Sequence, residues 1–185
     1  MRLKLLLPLL FIAAVFFRME APADVYLTKS GSVSFLSEAP LEVIEASNDM
    51  VGAVLNRTTR TLAFQVPIVG FNGFNSALQH EHFNENYLET DAFPKATFNG
   101  KIIEDVDLEN PGTHKVRAKG MLVIHGVEKE RIILGTIVVT GSGINIKTSF
   151  EVTLQDHDIS IPRIVTQKIT EVVTVELSAS LNPKS

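Results

Sequence analysis

Three histidines are the residues of this chain best suited to metal chemistry. His80 and His82 flank Glu81, and His125 precedes Gly126 in a later segment. Side chains two positions apart do not face each other on a helix, so His80 and His82 could chelate one ion only on a strand or loop. Zinc requires three or four ligands in a defined geometry, and the sequence places no acidic partner beside them. We therefore expect no metal site, with His82 on the core side of a helix, His80 in solvent and His125 bonded to its own turn.

Other catalytic patterns do not occur in the sequence. Ser, His and Asp are present, but there is no nucleophile elbow, no phosphate-binding loop and no dinucleotide-binding fingerprint. The chain contains no Cys, which excludes disulfides and a lipidated cysteine anchor. The sequence thus predicts a protein that is not an enzyme and that carries no cofactor.

Polar side chains are mixed with aromatic ones in the segment from residue 78 to residue 100. Asn84, Asn86 and Tyr87 follow Phe83 there, and binding sites commonly combine a few polar groups with apolar walls. These three residues could hold the polar end of a ligand. Capping and turn formation explain the two asparagines equally well, with Asn84 as a local cap. The sequence leaves both interpretations open.

The N-terminal segment has the organisation of a secretory signal peptide. Arg2 and Lys4 precede an apolar run over residues 5–17, and Ala21-Pro22-Ala23 fits the small-residue pattern of a cleavage site. The run is short for a transmembrane helix, which needs about 20 apolar residues, although an uncleaved anchor is the alternative. We predict a cleaved signal peptide over residues 1–23, a single domain over residues 24–185, and a periplasmic or secreted location.

The charge balance disfavours several classes of partner. The chain carries 17 Lys and Arg against 21 Asp and Glu, a net charge of −4. Removal of residues 1–23 would take away three basic residues and one acidic residue, and the net charge would become −6. An acidic domain without a basic cluster is not expected to bind nucleic acid or an anionic membrane surface.

Most of the remaining chain alternates between apolar and polar residues with the period of a β-strand. The clearest example runs from Ile144 to Leu154. The same alternation recurs over residues 62–68, 116–124 and 173–181. Short turn signals separate these strands, which makes neighbouring strands antiparallel. About eight strands with one apolar face each predict a mainly β fold, an extended eight-stranded antiparallel barrel, because closure hides the strand edges.

Two stretches have helical rather than strand signals. Residues 40–46 could form one or two turns, and residues 75–87 a longer helix near a barrel mouth, with Asn72 or Asn75 as its cap. The longer helix would bring four side chains close to one face: Phe71, Phe74, Leu78 and His82.

Four ordered segments of the chain resemble those of the YceI-like family, which consists of secreted, lipocalin-like, polyisoprenoid-binding proteins. They are VSFLSEAPLEVIEASN (Val33–Asn48), HFNENYLETDAFPKATFNG (His82–Gly100), GMLVIHGVEKE (Gly120–Glu130) and FEVTLQDHDISIP (Phe150–Pro162). The resemblance covers nearly all of the chain after residue 23. It implies a lipocalin-like barrel with a helix near one mouth and an apolar lumen, which in characterised relatives holds a long isoprenoid chain. Many relatives have Tyr-Gly where this chain has His157-Asp158.

The resemblance and the apolar strand faces together predict a function. The barrel would bind an isoprenoid-type lipid such as an isoprenoid quinone or a polyprenyl phosphate, and would carry or store it. A homodimer is expected by family analogy. The candidate ligand-binding residues are those of the inward strand faces and the helix: Phe35, Phe64, Val66, Phe74, Leu78, His82, Phe83, Asn86, Tyr87, Phe98, Leu122, Ile124, Phe150 and Val152.

Two alternatives remain beside this prediction. Small barrels are often filled by their own side chains, so the chain could be a structural or stress-related secreted barrel with a packed core. A metal-dependent enzyme that uses His80, His82 and His125 is the less favoured alternative.

Overall fold

Eight long strands make up most of the protein. The computed structural model describes residues 24–184, so the predicted signal peptide lies outside the described residues. The strands are β1 (Val25–Ala39), β2 (Glu42–Asn56), β3 (Thr61–Pro67), β4 (Lys95–Ile102), β5 (Gly112–Ile124), β6 (Val127–Val139), β7 (Ile144–Thr153) and β8 (Val172–Pro183).

The eight strands close into an antiparallel barrel in which each strand pairs with the next along the chain. Closure occurs between β1 and β8, which pair from Tyr26 with Pro183 to Leu36 with Thr174. The prediction of a closed eight-stranded antiparallel barrel is confirmed. In the described part of the chain, no helix is long and apolar enough to cross a membrane.

Alternation along each strand accounts for the two faces of the wall. In β7, Ile144, Ile146 and Val152 are buried, whereas Lys147 and Glu151 are exposed. Successive side chains of a strand point to opposite faces, so the apolar set lies inside the barrel.

The prediction of helical turns over residues 40–46 is wrong. A turn at residues 40 and 41 joins β1 to β2, and β2 is already extended from Glu42. Ile44 and Ala46 are buried, whereas Val43 and Glu45 between them are exposed. The local pattern is therefore that of a strand, which the proline and the acidic residues obscured.

A short helix lies between β3 and β4 at one end of the barrel, hereafter the helix end. It is α1 (Ala77–His82), and it continues into a π-helical turn over Phe83–Tyr87. Ser76 caps α1 by accepting a hydrogen bond from the Gln79 backbone N–H at 3.2 Å, so the prediction of Asn72 or Asn75 as the cap is wrong. Three 3₁₀ turns complete the elements of residues 24–184: Ile68–Gly70, Leu154–His157 and Arg163–Val165.

The opposite end of the barrel is filled by side chains. Five large apolar residues there are at most 2% exposed: Leu55, Ile102, Ile137, Ile144 and Leu181. Leu108, from the connection between β4 and β5, is buried in the same cluster. This end of the barrel is therefore closed by buried apolar side chains.

The wall is incomplete between β6 and β7. The two strands pair only from Gly135 with Thr148 to Val139 with Ile144. Residues 127–134 of β6 and 149–153 of β7 belong to the strands but are not paired with each other. We call this unpaired stretch the β6–β7 window.

Candidate functional site

The lumen of the barrel contains a cavity of about 240 Å³. It extends from the middle of the barrel to the helix end. An apolar cavity of roughly 150 Å³ already stays dry and admits a benzene-sized molecule. The side chains of this barrel therefore leave usable space inside it.

Eleven of the fourteen candidate residues line this cavity. They come from five strands and from the segment between β3 and β4: Phe35, Phe64, Val66, Phe74, Phe83, Tyr87, Phe98, Leu122, Ile124, Phe150 and Val152. The structure brings these side chains together around one space; that they contact a ligand stays a prediction.

The other three candidates lie outside the cavity. Leu78 is 58% exposed, and His82 and Asn86 are exposed as well. The expected face of four aligned side chains does not form, because α1 begins only at Ala77 and both phenylalanines precede it. We therefore drop Leu78, His82 and Asn86 from the proposed binding set.

Four phenylalanines form a plug beneath α1, hereafter the aromatic plug: Phe35, Phe71, Phe74 and Phe83. Phe35 and Phe83 stack with ring centroids 5.5 Å apart, and Phe74 lies 4.9 Å from Phe83. Offset and tilted rings at these separations attract each other beyond the burial of their area. The aromatic plug thus covers the helix end of the cavity with an apolar surface.

Several lining residues were missed by the sequence reasoning. Phe71 belongs to the aromatic plug, and Val173, Val175 and Leu177 of β8 line the cavity beside Phe150. The β8 residues could have been found, because they share the apolar parity already visible in residues 173–181. Phe71 carries no such signal, because it lies outside any strand and its position depends on contacts distant in sequence.

The lining of the cavity carries few polar groups. Ser37, Gln79, Thr97, Thr148 and Tyr87 supply them, and no charged side chain lines the cavity in the described chain. Burial raises the pKa of the Tyr87 hydroxyl, which stays protonated and able to donate a hydrogen bond. The site can therefore satisfy a small neutral polar group but cannot neutralise a buried charge.

The side chain of Asn84 forms hydrogen bonds at the end of the helical segment. Its side-chain amide donates to the His80 carbonyl at 3.0 Å, and its Oδ1 accepts from the Thr90 hydroxyl at 3.0 Å. The Thr90 backbone N–H also donates to the Asn84 carbonyl at 2.8 Å. The capping and turn interpretation of Asn84 therefore describes its contacts.

The expected orientations of His80 and His82 are reversed. His80 stacks on Phe74 with centroids 4.9 Å apart, and its Nε2 is buried without a hydrogen-bond partner within the described chain. His82 points to solvent. No group of three His, Asp or Glu side chains among residues 24–184 is arranged to hold a metal ion.

His125 lies in the two-residue turn between β5 and β6. Its Nδ1 is 3.0 Å from the His157 carbonyl oxygen, and its Nε2 is 2.9 Å from a Glu89 carboxylate oxygen. The Phe93 ring packs edge-on against it at 4.6 Å. The expectation that His125 bonds its own turn is therefore wrong, because its ring bonds the segment after the π-helical turn and the segment after β7.

The His157-Asp158 pair occupies a tight turn after β7. His157 is fully buried, with its Nδ1 3.3 Å from the Val127 carbonyl oxygen and its Nε2 unpartnered within the described residues. Burial, the largest influence, lowers the pKa of this imidazole. Asp158 has φ 56°, the left-handed conformation that glycine adopts most readily.

A comparison with family models decides the membership of the chain. The model of the YceI-like domain matches residues 28–181, from within β1 to within β8. The chain belongs to the YceI-like family. The resemblance drawn from the four sequence segments is thereby confirmed. No curated protein matches this YceI-like chain by sequence.

Solved structures share the fold at low identity. A polyisoprenoid-binding domain from Saccharophagus degradans, implicated in plant cell wall breakdown, is 12% identical with a TM-score of 0.72 and covers 88% of this chain and 99% of its own. Burkholderia cenocepacia BcnA is 12% identical with a TM-score of 0.68 and covers 82% and 95%. The Campylobacter jejuni YceI protein is 18% identical with a TM-score of 0.59 and covers 77% and 86%. At these identities the similarity shows the fold of the YceI-like chain.

Proposed function

We propose that this protein binds a long apolar lipid of isoprenoid type in its lumen, without catalysis. The observation that carries the proposal is the cavity itself, about 240 Å³ in volume with no charged side chain among its lining residues. Each methylene transferred from water into such a space contributes about 0.8 kcal/mol. The polyisoprenoid-binding domain from Saccharophagus degradans, which has the same fold, supports the same class of ligand.

The lining favours a ligand with a neutral head group. The protonated Tyr87 hydroxyl can donate one hydrogen bond to a carbonyl oxygen. An isoprenoid quinone offers such oxygens. The phosphate of a polyprenyl phosphate would meet no cation among the lining residues, so it would have to remain in solvent.

Carriage or storage in the periplasm or outside the cell extends the proposal. A lipid with tens of carbons cannot cross water unshielded, and an enclosing barrel supplies the shield. The proposed signal peptide over residues 1–23 would deliver the barrel to that compartment.

The test compares two variants that place a bulky side chain on opposite faces of β5. Ala118→Phe adds a ring inside the lumen, whereas Lys119→Phe adds the same ring to the exposed outer face. Purified proteins are extracted with organic solvent, and the extracts are identified by mass spectrometry. We expect Ala118→Phe to retain much less lipid than the parent, and Lys119→Phe to retain the same amount.

Two outcomes would decide against the proposal. Extracts of the parent that are reproducibly empty would favour the structural or stress-related barrel, although a cavity of about 240 Å³ already disfavours a fully packed core. Bound metal that disappears in a His82→Ala variant prepared without a histidine tag would favour the metal-dependent enzyme.

A homodimer is a separate proposal. Leu41, Val43 and Leu78 are 67%, 54% and 58% exposed, and the bonds of Asn75 and Gln79 to the Glu42 side chain bring their segments together. Such a surface could be covered by a second copy. Sedimentation analysis of the parent and of Leu78→Lys tests this, with loss of the dimer expected in the variant; a parent that sediments as a monomer at all concentrations contradicts it.

A further inference from the structure

The β6–β7 window differs from the rest of the barrel wall. Pairing stops at Gly135 and Thr148, where the Thr148 hydroxyl donates to the Leu134 carbonyl. Towards the helix end, beyond one side-chain bond from Arg131, the two sides meet again where the His157 ring bonds the Val127 carbonyl. Between these points the backbone groups along the two facing edges are not joined by a ladder.

The cavity reaches the outside through this window. Leu134 points outward by its parity and is 67% exposed, yet it lines the cavity together with Gly135 and Thr148. On the other side, Thr148 and Phe150 face inward but are only partly buried, whereas Ile146 is 5% exposed. A continuous wall would separate the outward Leu134 from the lumen and bury the inward residues.

The residue types along β6 agree with an opening. Ile133, Ile137 and Val139 occupy the inward register and are buried. Lys129 and Arg131 have the same parity, but Lys129 is exposed and Arg131 is partly exposed. Two charged side chains in inward register are stable only where that stretch of wall meets water.

Both ends of the barrel are more obstructed than this side. The aromatic plug and α1 cover one end, and α1 is held to β2 because the Gln79 amide donates to Glu42 at 3.1 Å. The opposite end is filled by residues that are at most 2% exposed, such as Leu55 and Ile144.

One side chain crosses the window. Arg131 donates from Nη2 to the Glu151 backbone carbonyl at 2.8 Å. This is the single hydrogen bond among the described residues that joins the two sides between the Thr148 hydroxyl and the His157 ring. Ile132 and Leu134, which are 51% and 67% exposed, place apolar surface on the outer face directly beside it.

We propose that the β6–β7 window is the passage through which the lipid enters and leaves the lumen. The apolar chain first lies on Ile132 and Leu134, and then slides past Phe150 into the cavity while Arg131 releases the Glu151 carbonyl. This inference rests on the proposed lipid binding. It adds the route of the lipid and the residue, Arg131, whose hydrogen bond spans that route.

A cross-link across the window tests the route. If the register of Gly135 and Thr148 is continued, Ile132 falls opposite Glu151, with both side chains on the outer face. The chain has no Cys, so Ile132→Cys/Glu151→Cys introduces the only two thiols, which a short bifunctional maleimide joins. The matched control is Thr136→Cys/Lys147→Cys, in the paired part of the same two strands.

The measurement is the rate at which delipidated protein takes up dansyl-farnesol from phosphatidylcholine vesicles, followed by dansyl fluorescence. We expect the window cross-link to slow uptake by about tenfold or more, the change that a barrier higher by ~1.4 kcal/mol gives. The control cross-link should leave the rate unchanged. Uptake through the cross-linked window at the parent rate would overturn the proposal.

A second variant needs no cross-link. Arg131→Ala should take up and release the probe about fivefold faster, as the loss of one hydrogen bond of ~1 kcal/mol implies. Glu151→Ala keeps the accepting backbone carbonyl and serves as its control, with the rate of the parent. An Arg131→Ala rate equal to the parent rate would also overturn the proposal. A parent that takes up no probe at all would instead overturn the lipid-binding function itself.

Discussion

At the scale of single residues, the turn after β7 contains two features that lower the stability of the fold. His157 is buried as a neutral imidazole with one unpartnered ring nitrogen, and Asp158 adopts a left-handed backbone conformation. Neither side chain lines the cavity. The two residues therefore bear on the stability of the fold and on its dependence on pH.

The burial of His157 predicts a dependence of stability on pH. The folded pKa is lowered, first by burial, while the unfolded chain protonates near pH 6.5. Below about pH 6.5 the unfolded state binds more protons, so the free energy of unfolding falls as the pH falls towards about 5. Urea unfolding at several pH values in this range gives the slope of the unfolding free energy against pH. This slope should be smaller in His157→Gln, whereas the exposed control His82→Gln should keep the slope of the parent. An unchanged slope in His157→Gln would contradict the assignment.

The backbone of Asp158 predicts an asymmetric response to substitution. The left-handed conformation costs a residue with a Cβ roughly 1–2 kcal/mol, most for a β-branched side chain. Asp158→Val should therefore lower the free energy of unfolding by about 1–2 kcal/mol. Asp158→Gly should stay close to the parent, because relief of strain is offset by the greater freedom of glycine in the unfolded chain. Equal denaturation midpoints for the two variants would show that φ is not the controlling factor.

At the scale of elements, the hairpin of β5 and β6 borders both the paired part of the barrel wall and the β6–β7 window. Its two-residue turn has φ 51° at His125 and 74° at Gly126, the combination of a tight hairpin turn. The Phe93 ring packs against this turn, and His125 bonds the segments on either side of it. Strand β4 pairs with one edge of the hairpin, and the other edge borders the β6–β7 window.

Substitution of Gly126 tests this hairpin. A Cβ there would meet the Phe93 ring at 2.5 Å and would sit on a backbone with positive φ. Gly126→Ala should lower the free energy of unfolding by about 2 kcal/mol or more, since left-handed strain and a clash combine. The control Gly141→Ala has nothing within 4 Å of its new Cβ and should leave stability unchanged or raise it slightly. Similar losses in the two variants, measured by urea unfolding, would contradict this account.

The elements differ in how far the sequence predicts them. Alternation over Ile144–Leu154 predicts β7 to within one residue, because strand periodicity is a local property. The helix was predicted in place but with the wrong inward face, since α1 has only six residues and the phenylalanines beneath it belong to the preceding loop. Side-chain parity works for strands because one face is buried along their whole length. It fails for a short helix that touches the barrel at one edge.

At the scale of the whole molecule, the lumen is a property of all eight strands. Its lining comes from all eight strands and from the segment between β3 and β4, so the apolar parity of single strands predicts most of its residues. The space between those residues was not predictable, because volume depends on which strands pair and where pairing stops. The window is the clearest case, since nothing in the sequences of β6 and β7 marks Gly135 and Thr148 as the last pair.

Lipid in this space should stabilise the whole fold. A ligand present at 100 times its dissociation constant contributes about 2.7 kcal/mol, which corresponds to a Tm higher by roughly 5–10 °C for a domain of this size. Scanning calorimetry should therefore give a lower Tm for solvent-extracted protein than for the same protein reloaded with lipid. The lumen-filling variant Ala118→Phe provides the control, because reloading should not change its Tm. A parent whose Tm is indifferent to lipid would contradict binding inside the barrel.

The pairing of β1 with β8 also sets an order of events during synthesis. The two ends of the chain meet at Tyr26 and Pro183, so the barrel cannot close before its last strand has been made. A chain synthesised from its N-terminus at about 5–20 residues per second passes through a stage in which seven strands expose two unpaired edges and an apolar face. At that stage there is no enclosed lumen to receive a lipid. A lipid that binds in the lumen would therefore enter after β8 has paired with β1.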